Sequence, residues 1–300
     1  MGTQRRIRAL AGLVAVGTAA AALAGCSSGD GQDTAEVDVV AGFYPVAWVA
    51  ERVGGDRVSV TDLTPAGVEP HDLELAPRQV DDVLDADVVV VMGDGFQPAV
   101  EDAADSRDDA TVELLEELPD DELAEDDPHV WLDPVHMGEI VDEVEAALAE
   151  ADPEGEDTFR RNAEDLQAEL GALDDAYRAG LAACDRDLVV TAHEAFGYVT
   201  GRYGLREEGV AGLSPEAEPD ARRLAELADL AREEGVTTVF TEELVSPEIA
   251  ETLAREAGGL QTDVLSPLES LSPEQRDDGD DYISVMEANL AKLQAALACS

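Results

Sequence analysis

An α/β fold in two parallel-sheet halves is predicted for this chain by three observations. Short β-branched runs alternate with helical patterns, an order that puts strands in parallel sheets with helices on their faces. The alternation occurs twice, with a similar rhythm on either side of the middle of the chain. Between the two stretches, one segment carries an unbroken helical face long enough to act as a connector.

The elements follow in order along the sequence. The runs 37–41, 58–63 and 87–92, and in the second half 188–191, 236–241 and 261–265, are short, apolar and β-branched, as buried strands are. Helices are expected over 45–53, 77–86, 137–151, 219–234 and 247–257, several of them opening at proline or an acid, which first turns prefer. From 157 to 183 there is no proline, and Phe159, Leu166, Leu170, Leu173, Tyr177 and Leu181 recur on one helical face. At about 1.5 Å per residue this segment makes a rod of about 40 Å. The acidic stretch 120–127, bracketed by Pro119 and Pro128, is expected to be a loop.

The start of the chain has a different character. Arg5, Arg6 and Arg8 precede an apolar run of small residues that ends at Leu23-Ala24-Gly25-Cys26, the pattern of an export signal. The run falls short of the roughly 20 residues a membrane span needs. Leu-Ala-Gly-Cys resembles a bacterial lipobox, whose cysteine becomes the lipidated first residue after cleavage. Residues 1–25 are therefore expected to be a lipoprotein signal peptide and 26–36 a flexible tether. Export implies an oxidising compartment. With Cys26 committed to lipid, the remaining pair, Cys184 and Cys299, is expected to form a disulfide.

The 300 residues carry 69 acids against 19 bases, for a formal charge of −50, and Lys292 is the only lysine. Such a chain has no basic footprint for phosphates, which excludes nucleic acid as a partner. An apolar fraction of 45% and the periodic segments separate it from disordered acidic chains. Most of the acid forms a solvated coat, and a field that gathers cations is the alternative.

There are four histidines. His71 lies just beyond the second strand, His129 lies in a proline-bracketed loop, and His193 ends the 188–191 strand. In parallel β/α folds ligands bind beyond the carboxyl ends of strands, so these three positions converge on one crevice. Imidazole with a hard carboxylate makes a metal site where thiolates are lacking. Candidate carboxylates stand at Glu242 and in Gly279-Asp280-Asp281-Tyr282. His136 is expected to be a surface residue.

The segments Glu69-Pro70-His71-Asp72-Leu73-Glu74, Asp127-Pro128-His129-Val130-Trp131-Leu132-Asp133-Pro134, Thr191-Ala192-His193-Glu194-Ala195-Phe196-Gly197-Tyr198, Gly212-Leu213-Ser214-Pro215-Glu216-Ala217-Glu218-Pro219 and the run from Gly279 to Leu290 occur in this order. Together they resemble the zinc/manganese substrate-binding lipoproteins of bacterial ABC transporters, in the zinc-uptake branch. The resemblance spans essentially the whole chain after the signal. It implies two β/α lobes, each with a four-stranded, mainly parallel sheet, joined by one long connecting helix, with a metal in the interlobe cleft. The lobes are then 37–156 and 184–300, and the connector is 157–183.

Carried over residue by residue, the resemblance makes His71, His129, His193 and Asp280 the metal ligands, with Asp281 a neighbouring competitor for the fourth place. His71 and His129 would belong to the first lobe, and His193 and Asp280 to the second. Manganese members of the family look to have a glutamate where this chain has His193. Three imidazoles and one carboxylate favour Zn²⁺ over Mn²⁺, because nitrogen donors suit zinc and oxygen donors suit manganese. The histidine-rich loop that zinc members often carry is replaced here by the acidic stretch 120–127. The implied protein is no enzyme: it is a monomer, lipid-anchored through Cys26 at the extracytoplasmic face of the cell membrane, that delivers Zn²⁺ to an ABC transporter permease. The competing classes are a manganese-binding member, a zinc hydrolase using Glu194 or Glu242 as base, and a surface adhesin. For the hydrolase, Gly197 stands where a zinc-peptidase helix needs its second histidine. The discriminator is coordination, since four protein ligands leave no place for a reacting water.

Overall fold

The computed structural model describes residues 37–107, 111–119, 123–124, 127–215, 217 and 219–300. The signal, Cys26 and the tether, and most of the acidic stretch, lie outside the described residues. In chain order, the first half holds β1 (Val37–Ala41), α1 (Tyr44–Gly54), β2 (Val58–Asp62), α2 (Pro77–Asp85), β3 (Val88–Val91), α3 (Pro98–Ala104), β4 (Thr111–Glu113), α4 (Leu114–Glu117) and α5 (Pro134–Ala151). The long helix α6 (Glu156–Gly180) follows. Then come β5 (Leu188–Thr191), α7 (Gly197–Arg202), β6 (Arg206–Gly209), α8 (Ala221–Glu233), β7 (Thr238–Thr241), α9 (Glu248–Glu256), β8 (Gln261–Val264), α10 (Pro273–Asp278) and α11 (Tyr282–Leu297).

The strands pair as two four-stranded parallel sheets, β2-β1-β3-β4 and β6-β5-β7-β8. β3 shows why they are doubly covered. Its four valines are all buried: Val88 and Val90 pack with α1 and α5, while Val89 and Val91 pack with Val83 of α2 and Val100 of α3. In the second sheet, Val190 and Val239 pack on α8 and α9, and Val189 and Phe240 on the opposite face join the core shared with α6 and α11.

Several elements escape the sequence patterns. β4 is only three residues long, and β6 reads Arg-Glu-Glu-Gly; both are edge strands, half exposed and free of the apolar run a central strand needs. Short helices at the strand ends, such as α3 and α7, likewise escape. So does α11, although it buries Tyr282, Val285, Met286, Leu290, Leu293 and Leu297 at helical spacing.

α6 buries the expected stripe, Phe159, Leu166, Leu170, Leu173 and Tyr177, against α1, α5 and α11. Tyr177 donates its phenol to the Met286 carbonyl of α11 at 2.7 Å. This helix therefore packs on both lobes. Cys184 and Cys299 are disulfide-bonded, as expected, fastening the end of α11 to the segment after α6. No described helix is long and apolar enough to cross a membrane.

Candidate metal centre

The carboxyl ends of the strands face the cleft between the lobes, and the chemistry-bearing loops start there. The chain leaves β2 and reaches His71, whose backbone N–H donates to Glu69 Oε1 at 3.0 Å. Gln97, buried at the start of α3, donates its amide to the carbonyls of Gly42 (3.1 Å) and Pro70 (3.4 Å), holding the His71 segment against the end of β1. Its amide oxygen fills the space a Cβ on Gly42 would need, so a larger residue there would have to push the Gln97 side chain aside. His129 precedes a single 3-10 turn, and Asp127 Oδ1 accepts both its backbone N–H (3.0 Å) and its ring Nδ1 (2.8 Å). His193, two residues past β5, is held the same way: Glu242 accepts its backbone N–H at 3.2 Å and its Nδ1 at 2.8 and 2.9 Å.

An ionised carboxylate only accepts, so these contacts place the proton of His129 and of His193 on Nδ1 and leave Nε2 facing inward. There they meet Glu269, in the segment after β8. Glu269 Oε1 lies 3.3 Å from His71 Nε2, 3.6 Å from His129 Nε2 and 3.4 Å from His193 Nε2, and the last two nitrogens are 3.3 Å apart. These four residues form the one group of potential metal donors among the described residues. All four donor atoms lie within 4.8 Å of one another, and a regular tetrahedron with edges of about 3.3–3.6 Å would have its centre about 2.0–2.2 Å from each corner, the distance at which zinc sits from imidazole nitrogen and carboxylate oxygen. Calcium takes about six to eight oxygen ligands, which a set of three imidazoles and one carboxylate does not supply.

The cluster is dry. His129 and His193 are fully buried and Glu269 is 1% exposed, while Phe96 packs edge-on to the His71 ring at 4.6 Å. Burial alone would push the Glu269 carboxyl up, but hydrogen bonds from His129, His193 and His71 overcome it and hold it well below the usual carboxylate range. Burial opposes a charge on His193, yet Glu242 and Glu269 outweigh it and raise its pKa to about 10. His129 moves up for the same reason, against burial, through Asp127 and Glu269. In the metal-free protein, the proton that these carboxylates favour on His193 thus stands where a cation fits.

The structure brings His71, His129 and His193 together and leaves Asp280 out; Glu269 occupies the fourth corner. Asp280 and Asp281 end the turn before α11, where Asp281 caps the helix by accepting the Ser284 N–H at 2.9 Å. Both line a separate cavity of about 560 Å³ with Tyr44, Trp48, Asp62 and Arg276. Glu242 orients His193 from behind rather than facing the centre, and Glu194 faces Arg223 at 3.6 Å. His136, expected at the surface, is 2% exposed and bonded through Nδ1 to Glu139 at 2.8 Å, because α5 turns that face onto Tyr198. Asp127, placed by sequence in an acidic loop, is buried against His129. The signal that finds Glu269 is its position: the only acid between the end of β8 and α10, at a strand's carboxyl end like the other donors.

A family described as ZnuA, zinc-uptake complex component A periplasmic, matches residues 39–296. The chain is 37% identical over 291 residues to the zinc-binding lipoprotein AdcA of Streptococcus pneumoniae, covering 91% of this chain and 58% of that protein. It therefore spans a little over half the length of that relative. It is 33% identical over 281 residues to the high-affinity zinc uptake system protein ZnuA of Bacillus subtilis, covering 87% of this chain and 88% of the other. Among solved structures, it resembles the Zn(II)-bound ZnuA-like domain of S. pneumoniae AdcA, with a TM-score of 0.74, 37% identity, and coverage of 87% of this chain and 99% of that one. The laminin-binding protein Lmb of Streptococcus agalactiae, described as having adhesin and metal transporting activity, superposes with a TM-score of 0.80 at 31% identity, over 87% of this chain and 99% of that one.

Proposed function

Because the chain belongs to the zinc-uptake complex component A family, we propose that it captures Zn²⁺ outside the cytoplasm and hands it to the permease of an ABC transporter. His71, His129, His193 and Glu269 are the ligands of the cargo ion. The observation that carries this reading is the convergence of their four donor atoms, three imidazole nitrogens around one carboxylate oxygen, all within 4.8 Å of one another. Three nitrogens and one oxygen in a tetrahedral frame suit zinc better than manganese, which favours oxygen donors and octahedral surroundings.

Four protein donors also fill a tetrahedron and leave no position for an activated water, so the cluster suits capture rather than hydrolysis. The cleft supplies a route for delivery: His71 and His129 come from the first lobe, His193 and Glu269 from the second. Release follows when the ligand-bearing loops separate, with α6 keeping the lobes from opening widely. Cys26, if lipidated, holds the protein on the outer face of the cytoplasmic membrane, with residues 26–36 as tether, 37–156 and 184–300 as lobes and 157–183 as connector.

Metal analysis of protein purified without chelator, followed by a competition titration, tests the proposal. One zinc per chain, bound much more tightly than manganese, is expected; manganese in preference to zinc would overturn it.

A further inference from the structure

One side chain ties the second lobe's ligand to the first lobe's. Trp131 sits in the 3-10 turn Val130–Leu132, two residues after His129, and is fully buried. Its ring packs 5.1 Å from the His129 ring and 4.8 Å from that of Phe43. Its indole N–H crosses the cleft to donate to the Pro267 carbonyl at 2.8 Å, two residues before Glu269. Its own carbonyl accepts the Tyr282 phenol of α11 at 2.6 Å.

The segment that carries Glu269 is buried and irregular, and the indole is its hydrogen-bond tie to the His129 turn. It is neither helix nor strand, and Leu268 takes a left-handed φ of 56° although it is not glycine, a conformation held only where surrounding contacts impose it. Asn289 clamps both backbone groups of Ser266, at 3.0 and 2.7 Å. Pro267 has no N–H, so its carbonyl is its sole backbone hydrogen-bonding group, and the indole takes it. Removing that donor would orphan a buried carbonyl next to a strained residue.

We propose that Trp131 is the positioning residue that sets Glu269 at its distance from His129 and so fixes the fourth corner of the metal site. The inference rests on the zinc reading. It assigns the indole N–H a role that ring packing alone does not supply, since phenylalanine would fill much of the same space.

Trp131→Phe removes the N–H and keeps an aromatic ring. Zinc affinity by competition, and the visible spectrum of the Co²⁺-loaded protein, are measured for the wild type, W131F, E269A and W131F/E269A. W131F is expected to bind zinc about 10–100-fold more weakly, as loss of an orienting contact typically does. It should also lose intensity in the tetrahedral Co²⁺ bands. In the E269A background the same change should cost less than about threefold, because the group it positions is gone. Unchanged affinity and spectrum in W131F, or an equal loss in both backgrounds, would overturn the assignment. Tyr282→Phe frees the Trp131 carbonyl and is expected to shift affinity and spectrum the same way. It carries the test, with the same overturning outcome, should W131F fail a far-UV folding check. A wild-type chain that binds no zinc overturns the capture reading and this one with it; zinc binding with W131F unchanged overturns the role of Trp131 alone.

Discussion

Two of the imidazoles spend their second nitrogen on a carboxylate, and that choice sets how the site responds to mutation and to pH. On the proposed ligand set, Glu269→Ala should weaken zinc binding by at least about 100-fold, while Asp280→Ala should leave affinity within about threefold; competition titrations that rank them the other way would return the fourth corner to Asp280. Glu242→Gln, which leaves His193 its hydrogen bond but no charge, should cost about 10–100-fold. Every ligand proton competes with the metal. An ordinary imidazole titrates near pH 6.5, so an unperturbed site would be indifferent to pH above neutrality. His193, raised to about 10 by its two carboxylates, is protonated across that range and must lose its proton to bind. The sign is therefore fixed: affinity rises with pH from neutrality toward about pH 10, by about one decade per unit for this group, and the upward shift of His129 acts in the same direction. Calorimetry at pH 8 in buffers of different ionisation enthalpy should register at least one proton released per zinc; none released would mean the metal-free imidazoles are neutral. The three histidines were legible because few residues do what imidazole does and each follows a strand or a proline bracket. Glu269 and Asp127 were not read, because in a chain with 69 acids a single carboxylate stands out only by its position, after the last strand or two residues before His129.

At the scale of elements, apolar patterning reports burial and little else. Central strands such as β1, β3 and β5, and the stripe of α6, are legible because both faces of a covered sheet and one face of a packed helix demand apolar residues. Edge strands β4 and β6 demand no such thing, and their sequences show none. The acids ahead of α11 look like metal donors in a linear reading, but Asp281 is spent on capping that helix. The disulfide joins two points 115 residues apart, closing the second half of the chain, from Cys184 to Cys299, into one loop. Replacing Cys184 and Cys299 by alanine should therefore lower unfolding free energy by about 2–5 kcal/mol in denaturant titrations. Zinc affinity of the folded variant should stay within about threefold; a larger loss would show that the bond also holds the ligand loops. Within α6, Leu166 is fully buried between helices, and Leu166→Ala should cost about 2–5 kcal/mol by leaving a cavity.

Across the whole molecule, 69 acids against 19 bases surround a site whose own charges are buried. The two populations of charge meet salt differently. The coat acts on an approaching Zn²⁺ through solvent, where the screening length shrinks from about 30 Å at 0.01 M salt to about 3 Å at 1 M. The cluster acts on the bound ion inside low-dielectric protein, where mobile ions do not enter. A field of one sign speeds association by roughly 10–1000-fold at low ionic strength, so the coat's contribution belongs to the on-rate. Stopped-flow capture of zinc at fixed pH, in potassium chloride from 10 mM to 500 mM, should show the association rate falling about tenfold or more. Dissociation into excess chelator should change less than about twofold, because the bound ion's donors are out of salt's reach. A flat association rate would mean the acids solvate the surface without gathering cations. A dissociation rate that climbed with salt would mean the coat holds the ion after capture, and the four-donor cluster would then be only part of the binding energy.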